Sequence, residues 1–449
     1  MMGLKTFPKG GVHPEENKLS VDAAIENIAP QEKGLYAIPV SQHIGAPAKV
    51  VVKKNDVVKV GTILAQSGGF VSANIHSSVS GKVKKIDLVT DSSGYKRNAV
   101  IIQADGEDTW EESINRTEEI LPNITATAEE IKKKVSEFGI VGLGGATFPT
   151  HVKLAVPDGE KAEYLMLNGV ECEPYLTSDH RMMLEKGEEI MIGIKILMKA
   201  LDVSKAMIGI ENNKPDAISN MEKIASKFEG ITVHPLKVQY PQGGEKQLIA
   251  ALIGREVPSG KLPIHVGCVV QNVGTAYAVY EAIQKNKPML ERVVTLTGKS
   301  VAKPGNFMVR MGTPIEQLVE KAGGLPEDTG KIISGGPMMG KAIASTEVPV
   351  TKGTSGVLIM KDDEAHRGEI NPCIRCAKCV SVCPAGLEPY LLMTFGEKRL
   401  WDKAEEEDTM DCIECGSCSF VCPSDRPLLD YIRLDKSKVI ENRRKNSSK

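Results

Sequence analysis

The sequence predicts a multidomain chain of α/β and β character, and three observations carry that reading. Strand and helix patterns alternate from about residue 125 to 290, short strands with Gly/Pro turns lie on either side, and eight of the ten cysteines fall between Cys373 and Cys422. With 449 residues and roughly 100–200 residues per domain, three or four domains are expected. The net charge of −2 argues against a nucleic-acid binder, which should carry a basic excess. No run reaches about 18 consecutive apolar residues, so no transmembrane helix is expected. The first ten residues lack the apolar core of a signal peptide, which makes a cytoplasmic location the default.

In chain order, residues 1–30 are polar and turn-rich and read as an extended arm. Residues 31–112 read as a small β-domain, with strands at Leu35–Val40, Lys49–Val52, Thr62–Gln66, Gly81–Ile86 and Ala99–Gln103 separated by Gly, Asn-Asp and Ser turns. Residues 113–290 alternate. Helices are expected at Ala128–Glu137, Met182–Leu201, Pro215–Lys227, Glu245–Leu252 and Thr275–Gln284. Strands are expected at Tyr164–Leu167, Lys205–Ile210, Ile231–Pro235 and Val266–Val270. Such alternation implies a mostly parallel sheet. Residues 291–358 return to short strands around one helix, Ile315–Lys321. Residues 359–430 form a cysteine domain with a helical stretch at Leu387–Asp402. The tail, 431–449, is basic and reads as a solvated, frayed end, with contact to acidic lipid or a partner as the minor alternative.

The cysteines carry the most specific signal. Cys373, Cys376, Cys379 and Cys383, followed by Pro384, have the spacing C-x2-C-x2-C-x3-C-P, and Cys412, Cys415, Cys418 and Cys422, followed by Pro423, repeat it. Three thiolates on one tight loop can cap three corners of an iron–sulfur cubane. In the two-cluster bacterial pattern the fourth cysteine serves the other cluster. The expected sets are therefore Cys373, Cys376, Cys379 and Cys422 for one [4Fe–4S] cluster, and Cys412, Cys415, Cys418 and Cys383 for the other. Structural zinc is the alternative that the duplicated run disfavours. Cys172 and Cys268 stand apart and read as ordinary buried cysteines, and His13, His76, His151, His234 and His265 show no ligand spacing.

Within the alternating region, Gly142-Leu143-Gly144-Gly145-Ala146-Thr147-Phe148-Pro149-Thr150 can bring backbone N–H groups close to a phosphate or a flat ring. Pro149 suits the first turn of a following helix. A plain turn is the competing reading. Asn168-Gly169-Val170-Glu171-Cys172-Glu173-Pro174 sets two carboxylates just after a strand, where α/β folds bind ligands. An exposed acidic turn is the competing reading there.

Together these segments resemble the NADH- and FMN-binding subunit of respiratory complex I, which carries G-x-G-G-A-G-F-P-T-x-x-K and N-A-D-E-x-E-P. Tyr240-Pro241-Gln242-Gly243-Gly244-Glu245 resembles its Y-x-x-G-E-E, and Gln271-Asn272-Val273-Gly274-Thr275 its N-N-V-E-T. The order of β-domain, flavin domain, small module and two cluster runs resembles the RnfC family of peripheral subunits of the Rnf ion-translocating oxidoreductase, over nearly the whole chain. The opening Gly10-Gly11-Val12-His13-Pro14-Glu15-Glu16-Asn17-Lys18 resembles that family's first motif.

The resemblance implies a lipoyl-like barrel-sandwich domain without a carrier lysine, since Gly69–His76 at its tip contains none. It also implies a Rossmann-like FMN/NADH domain, a soluble-ligand-binding β-grasp module and a helical ferredoxin-like domain with two clusters. By position, Gly142, Gly144, Lys153, Asn168, Glu171, Gly243, Asn272 and Thr275 would surround FMN, with Lys153 offsetting its phosphate. Phe148 would lie against nicotinamide, Glu173 and Glu245 would line the NADH site, and Lys261 would touch the dinucleotide. Val170, Gly244 and Thr147 depart from the complex I motifs, and Val156 and Ile264 stand where that family has adenine-stacking phenylalanines. The implied activity is NADH oxidation or NAD⁺ reduction through FMN and two clusters. The implied partners are other Rnf subunits, integral membrane ones included, and indirectly ferredoxin. The implied place is the cytoplasmic face of the membrane. A flavin subunit of a soluble bifurcating dehydrogenase, or a relay protein without flavin, are the alternatives.

Overall fold

The structure is a computed structural model and describes residues 4–447. The first sheet runs 35–39, 96–104, 81–90, 57–58, and a second small sheet runs 49–50, 63–66, 75–76. They enclose Tyr36, Ile38, Leu64, Ile75, Val83 and Ile102. The long pair Gly81–Thr90 and Lys96–Ala104 extends past its expected ends because a Thr90-to-Lys96 hairpin continues the ladder beyond the core.

The alternating region is built on a four-stranded parallel sheet in the order 231–236, 206–211, 164–168, 268–272. Its strands are short and apolar, as expected for a sheet covered on both faces. The expected helix Met182–Leu201 is two helices, Ser178–Glu185 and Gly187–Leu201. The break at Lys186–Gly187 lets the chain pass close to the neighbouring helix Pro215–Ala225. A Cβ at Gly187 would stand 2.6 Å from Ile224 Cδ1. Thr127 and Glu130 form a capping box on Ala128–Glu137, whose bounds match expectation.

The third unit is a six-stranded mixed sheet in the order 25–27, 305–310, 291–297, 356–361, 329–334, 341–343, with the helix Ile315–Lys321 against it. Its edge strand, Ile25–Asn27, comes from the N-terminal arm. The arm is extended, as expected, but packed: Phe7 and Val12 are buried. Three units meet at Lys352. Its ammonium donates to Asn74 O at 3.0 Å and Gly139 O at 2.7 Å, and burial pushes it down to about 7.

In the cysteine domain the expected helix Leu387–Asp402 is again two, Pro389–Glu397 and Trp401–Glu406. The tail corrects the expectation of a frayed end. Leu428–Ser447 is a helix packed on both of these, with Leu428, Ile432 and Val439 buried at 2%, 1% and 0% exposure. Its apolar residues at i, i+4 and i+11 make the inward stripe, and the Lys/Arg count hid that pattern. Glu405 pairs with Arg443 of this helix at 2.6 Å, while Glu406, Glu407 and Asp408 are exposed. Among the described residues no helix is long and apolar enough to cross a membrane.

Candidate functional site

From strand 164–168 the chain adds 206–211 and 231–236 on one side, then returns to place 268–272 on the other. The crevice at such a reversal, beyond the carboxyl ends of the strands, is where open α/β sheets bind ligands. Asn168 and Asn272 end those two strands and pair in register. Asn168 Nδ2 donates to Gly243 O at 2.8 Å, and Asn272 Nδ2 to Asp179 Oδ2 at 2.7 Å.

The glycine-rich loop closes over this end. Gly142 N–H donates to Phe148 O at 2.9 Å, and Leu143 N–H to Thr275 Oγ1 at 2.9 Å. Gly144, Gly145 and Ala146 are left exposed. A Cβ on Gly144 would sit 3.7 Å from Asn272 Cβ, so a side chain there would fill the crevice. Thr147, where the complex I motif has glycine, keeps a left-handed φ of 50°. That costs a β-branched residue about 1–2 kcal/mol. The helix after Pro149 is only Thr150–Leu154, and Pro149 stands just before its first turn.

Lys153 and Glu245 meet, with Nζ 2.6 Å from Oε1 and 3.0 Å from Val270 O. Gly243 borders Asn168 and Cys172: its N–H lies 3.3 Å from Cys172 Sγ. Phe148 is partly exposed beside the loop and Lys261 lies on an exposed turn. Val156 and Ile264 pack partly into the domain core.

The two acidic residues of the turn do different things. Glu171 accepts from the N–H groups of Asp179 at 2.7 Å and His180 at 3.1 Å, and so caps the following helix rather than facing open crevice. Burial and the Glu171 charge push the Asp179 carboxyl up from its ordinary range. Glu173 gives both oxygens to the third unit, accepting from Met339 N–H at 2.7 Å and Met338 N–H at 3.2 Å. Burial raises it to about 7, against an ordinary 4.5. A carboxyl raised on folding adds stability that is full below about pH 4.5 and lost as pH rises through about 7. Glu173 should therefore lower the thermal midpoint of the intact protein as pH rises from about 4.5 to about 7. Glu173→Gln should flatten that fall, and an unchanged slope would refute the assignment.

Residues to which the sequence alone gave no role hold this turn. Lys18 Nζ donates to Glu171 O (2.9 Å), Glu173 O (2.9 Å) and Leu176 O (2.7 Å). Lys214 Nζ donates to Val170 O at 2.8 Å. Lys18 lies in the opening motif, which was a usable signal; Lys214 and Asp179 had none.

The two cysteine runs adopt one conformation twice. Arg375 and Ala377 have φ of 56° and 59°; Glu414 and Gly416, the same places in the second run, have 57° and 79°. Alternating left-handed residues turn successive N–H groups inward, the concavity that receives iron–sulfur clusters. A cavity is lined by Cys383, Cys412, Cys415 and Cys418 together with Leu387, Leu392 and Ile432. In the other set, Cys379 lies within electrostatic reach of Cys422 and Cys373. Both groupings fit crossed ligation of cubanes. Among the described residues no cluster of three or more His, Cys, Asp or Glu forms a site for a single metal ion.

Residues 5–107 match the RnfC barrel sandwich hybrid domain, 135–281 the Nuo51 FMN-binding domain, 293–342 the SLBB domain and 372–426 the 4Fe-4S dicluster domain. The chain is 45% identical to one subunit of the Na⁺-translocating ferredoxin:NAD⁺ oxidoreductase complex of Acetobacterium woodii, over 98% of each chain. It is 46% identical to the matching subunit of the proton-translocating complex of Clostridium ljungdahlii, over 97% of this chain and 94% of that one. Among solved structures, an NAD⁺-reducing [NiFe]-hydrogenase in the H₂-reduced state shares the fold. Its TM-score is 0.50 at 19% identity, covering 71% of this chain and 63% of that one.

Proposed function

The chain belongs to the RnfC family, one of the subunits of ion-translocating ferredoxin:NAD⁺ oxidoreductases, and from this we propose that it passes electrons between NAD(H), FMN and two [4Fe–4S] clusters as a peripheral subunit. It works with the other Rnf subunits, whose membrane members couple the flow to ion translocation, and it sits on the cytoplasmic face. The crevice between the Asn168 and Asn272 strand ends, capped by the glycine-rich loop, is the observation that carries this reading.

The parallel sheet with its switch point supports a Rossmann-like flavin domain spanning 113–290. The mixed sheet packed on one helix supports a β-grasp module at 291–358. We place the barrel-sandwich domain at 31–112 and the cluster domain at 359–430, extended by the helix through Ser447.

Bound FMN would accept a two-electron hydride and release electrons singly to one-electron clusters. The chain's residues prepare for that. Gly142 and Gly144 would leave room for the ring, Asn168, Gly243 and Asn272 would border it, and Thr275 fixes the loop above it. Lys153, now paired with Glu245 at 2.6 Å, would hold the phosphate, and Glu245 would line the nicotinamide side beside Phe148. Glu171 and Glu173 act through the turn, one capping its exit helix and the other joining it to Met338–Met339. Lys261 is exposed at the mouth.

The test is anaerobic purification. About eight irons and one FMN per chain, with NADH bleaching the flavin band, are expected. Lys153→Met should keep the iron but bind FMN about 10–100-fold more weakly, the loss of one charge-assisted hydrogen bond. Iron without extractable flavin in the wild type would refute the reading.

A further inference from the structure

The two clusters are not equivalent in this fold. Cys383, Cys415 and Cys418 are buried, at 9%, 7% and 8% exposure, whereas Cys373 and Cys376 are exposed within an exposed stretch from His366 to Lys378. The buried set also touches the flavin domain directly. Tyr240, three residues before Gly243 in the crevice wall, is 2% exposed and donates its O–H to Cys415 O at 2.7 Å.

Around that bond Val12, Tyr240, Cys415, Cys172, Met338, Val382, Ile413 and Val421 form one apolar cluster. The N-terminal arm threads it. Val12 exchanges backbone bonds with Tyr240 at 2.8 and 2.9 Å, and Gly11 N–H donates to Val382 O at 2.9 Å. Gly10 lies so close that a Cβ would stand 2.6 Å from Val382 O and 2.7 Å from the Cys383 carbonyl carbon. On the other side, a Cβ on Gly416 would stand 2.7 Å from Met338 O, while the Met338 N–H donates to Glu173 of the flavin turn. Two continuous packed paths therefore join the crevice to the Cys412–Cys418 loop.

We propose that the cluster held by Cys383, Cys412, Cys415 and Cys418 is the inner one, exchanging electrons with the flavin across the Tyr240–Cys415 contact, and that the cluster held by Cys373, Cys376, Cys379 and Cys422 is the outer one, facing the next carrier. Tyr240 is a positioning residue: it fixes the inner loop against the crevice wall. The proposal rests on the functional reading above. Its balance per NADH is one hydride in, then two single electrons crossing the contact. The first moves on to the outer cluster and the second stays on the inner. NAD⁺ and one proton are released for two clusters reduced.

Two single-cluster variants test it. Cys422→Ala should retain only the inner cluster and Cys383→Ala only the outer. Mixed with NADH under anaerobic conditions, both should bleach the flavin band. The cluster of Cys422→Ala should then become reduced, and that of Cys383→Ala should stay oxidised. Tyr240→Phe, added to each, supplies a readout apart from turnover. With dithionite as reductant, the inner cluster should shift in reduction potential and change its EPR signal, because the hydrogen bond that fixes the Cys415 backbone against the crevice wall is gone; the outer should change in neither. If NADH leaves the wild-type flavin oxidised, the functional reading falls and the proposal with it. If the flavin responds but both single clusters are reduced alike, or Tyr240→Phe alters the outer cluster, the proposal alone falls. Should a ligand variant lose both clusters, Tyr240→Phe in the otherwise native chain decides, through whether one EPR signal or neither moves.

Discussion

Replacing Cys383 with alanine should remove the cluster bound by the second cysteine run and leave the first run loaded, so that iron falls from about eight to about four per chain. Cys383 lies in the first run, 29 residues before Cys412, yet it lines the same cavity as Cys412, Cys415 and Cys418. Its Sγ accepts from the Leu387 N–H at 3.4 Å. A cubane needs every thiolate deprotonated, and burial pushes the Cys412 thiol up to about 12. Iron binding must offset the cost of that deprotonation, and three remaining thiolates do so less well than four. Double variants separate crossed from uncrossed ligation. Cys383→Ala with Cys418→Ala strikes one cluster twice and should still hold about four irons, whereas Cys383→Ala with Cys379→Ala strikes both and should hold almost none. Iron assay and the visible charge-transfer band read the result, and the reverse ranking would establish uncrossed ligation.

The parts of this molecule that were legible in the sequence are those fixed by short-range geometry. The C-x2-C-x2-C-x3-C spacing dictates a loop, and both loops take matching left-handed residues at 375/377 and 414/416. The helices Ala128–Glu137 and Ile315–Lys321 begin and end as expected because a capping box and a Pro314 entry are local signals. Long-range contacts were not legible. The fraying expected of the tail failed because Leu428, Ile432 and Val439 are buried by the helices 389–397 and 401–406, which periodicity within 431–449 alone does not reveal. Glu171 and Glu173 were correctly marked as a pair after a strand, but spacing could not say that one caps a helix and the other reaches Met338 and Met339, some 165 residues away. Tyr240 stood inside a recognised motif, and only the folded chain shows its hydroxyl on Cys415 O.

Lys18→Met should strip the flavin from the protein while leaving its iron in place. The turn 168–177 is held in a conformation its residues do not favour: Glu171 and Tyr175 have φ of 47° and 69°, each costing about 1–2 kcal/mol. Lys18 offsets that cost by donating to three carbonyls that converge on one ammonium. The arm adds Glu16 O, which accepts from Tyr175 N–H at 2.8 Å, and Ser20 Oγ, 2.6 Å from Thr177 Oγ1. Burial and the nearby Lys214 charge already press the Lys18 pKa down, so the ammonium is itself a liability that only the three bonds justify. Methionine keeps the stem and its packing but donates nothing. Each carbonyl left unpaired costs about 1–3 kcal/mol, and relief of the buried charge returns part of it, for a net loss of about 3–5 kcal/mol. That is enough to let Asn168 and Glu171 leave their places beside Gly243 and the helix 178–185. The clusters, bound by a different domain, should survive. Flavin fluorescence after acid release, set against iron per chain, measures the split. A Lys18→Met protein that keeps its wild-type FMN content and thermal midpoint would show that the arm merely lies on the turn without holding it.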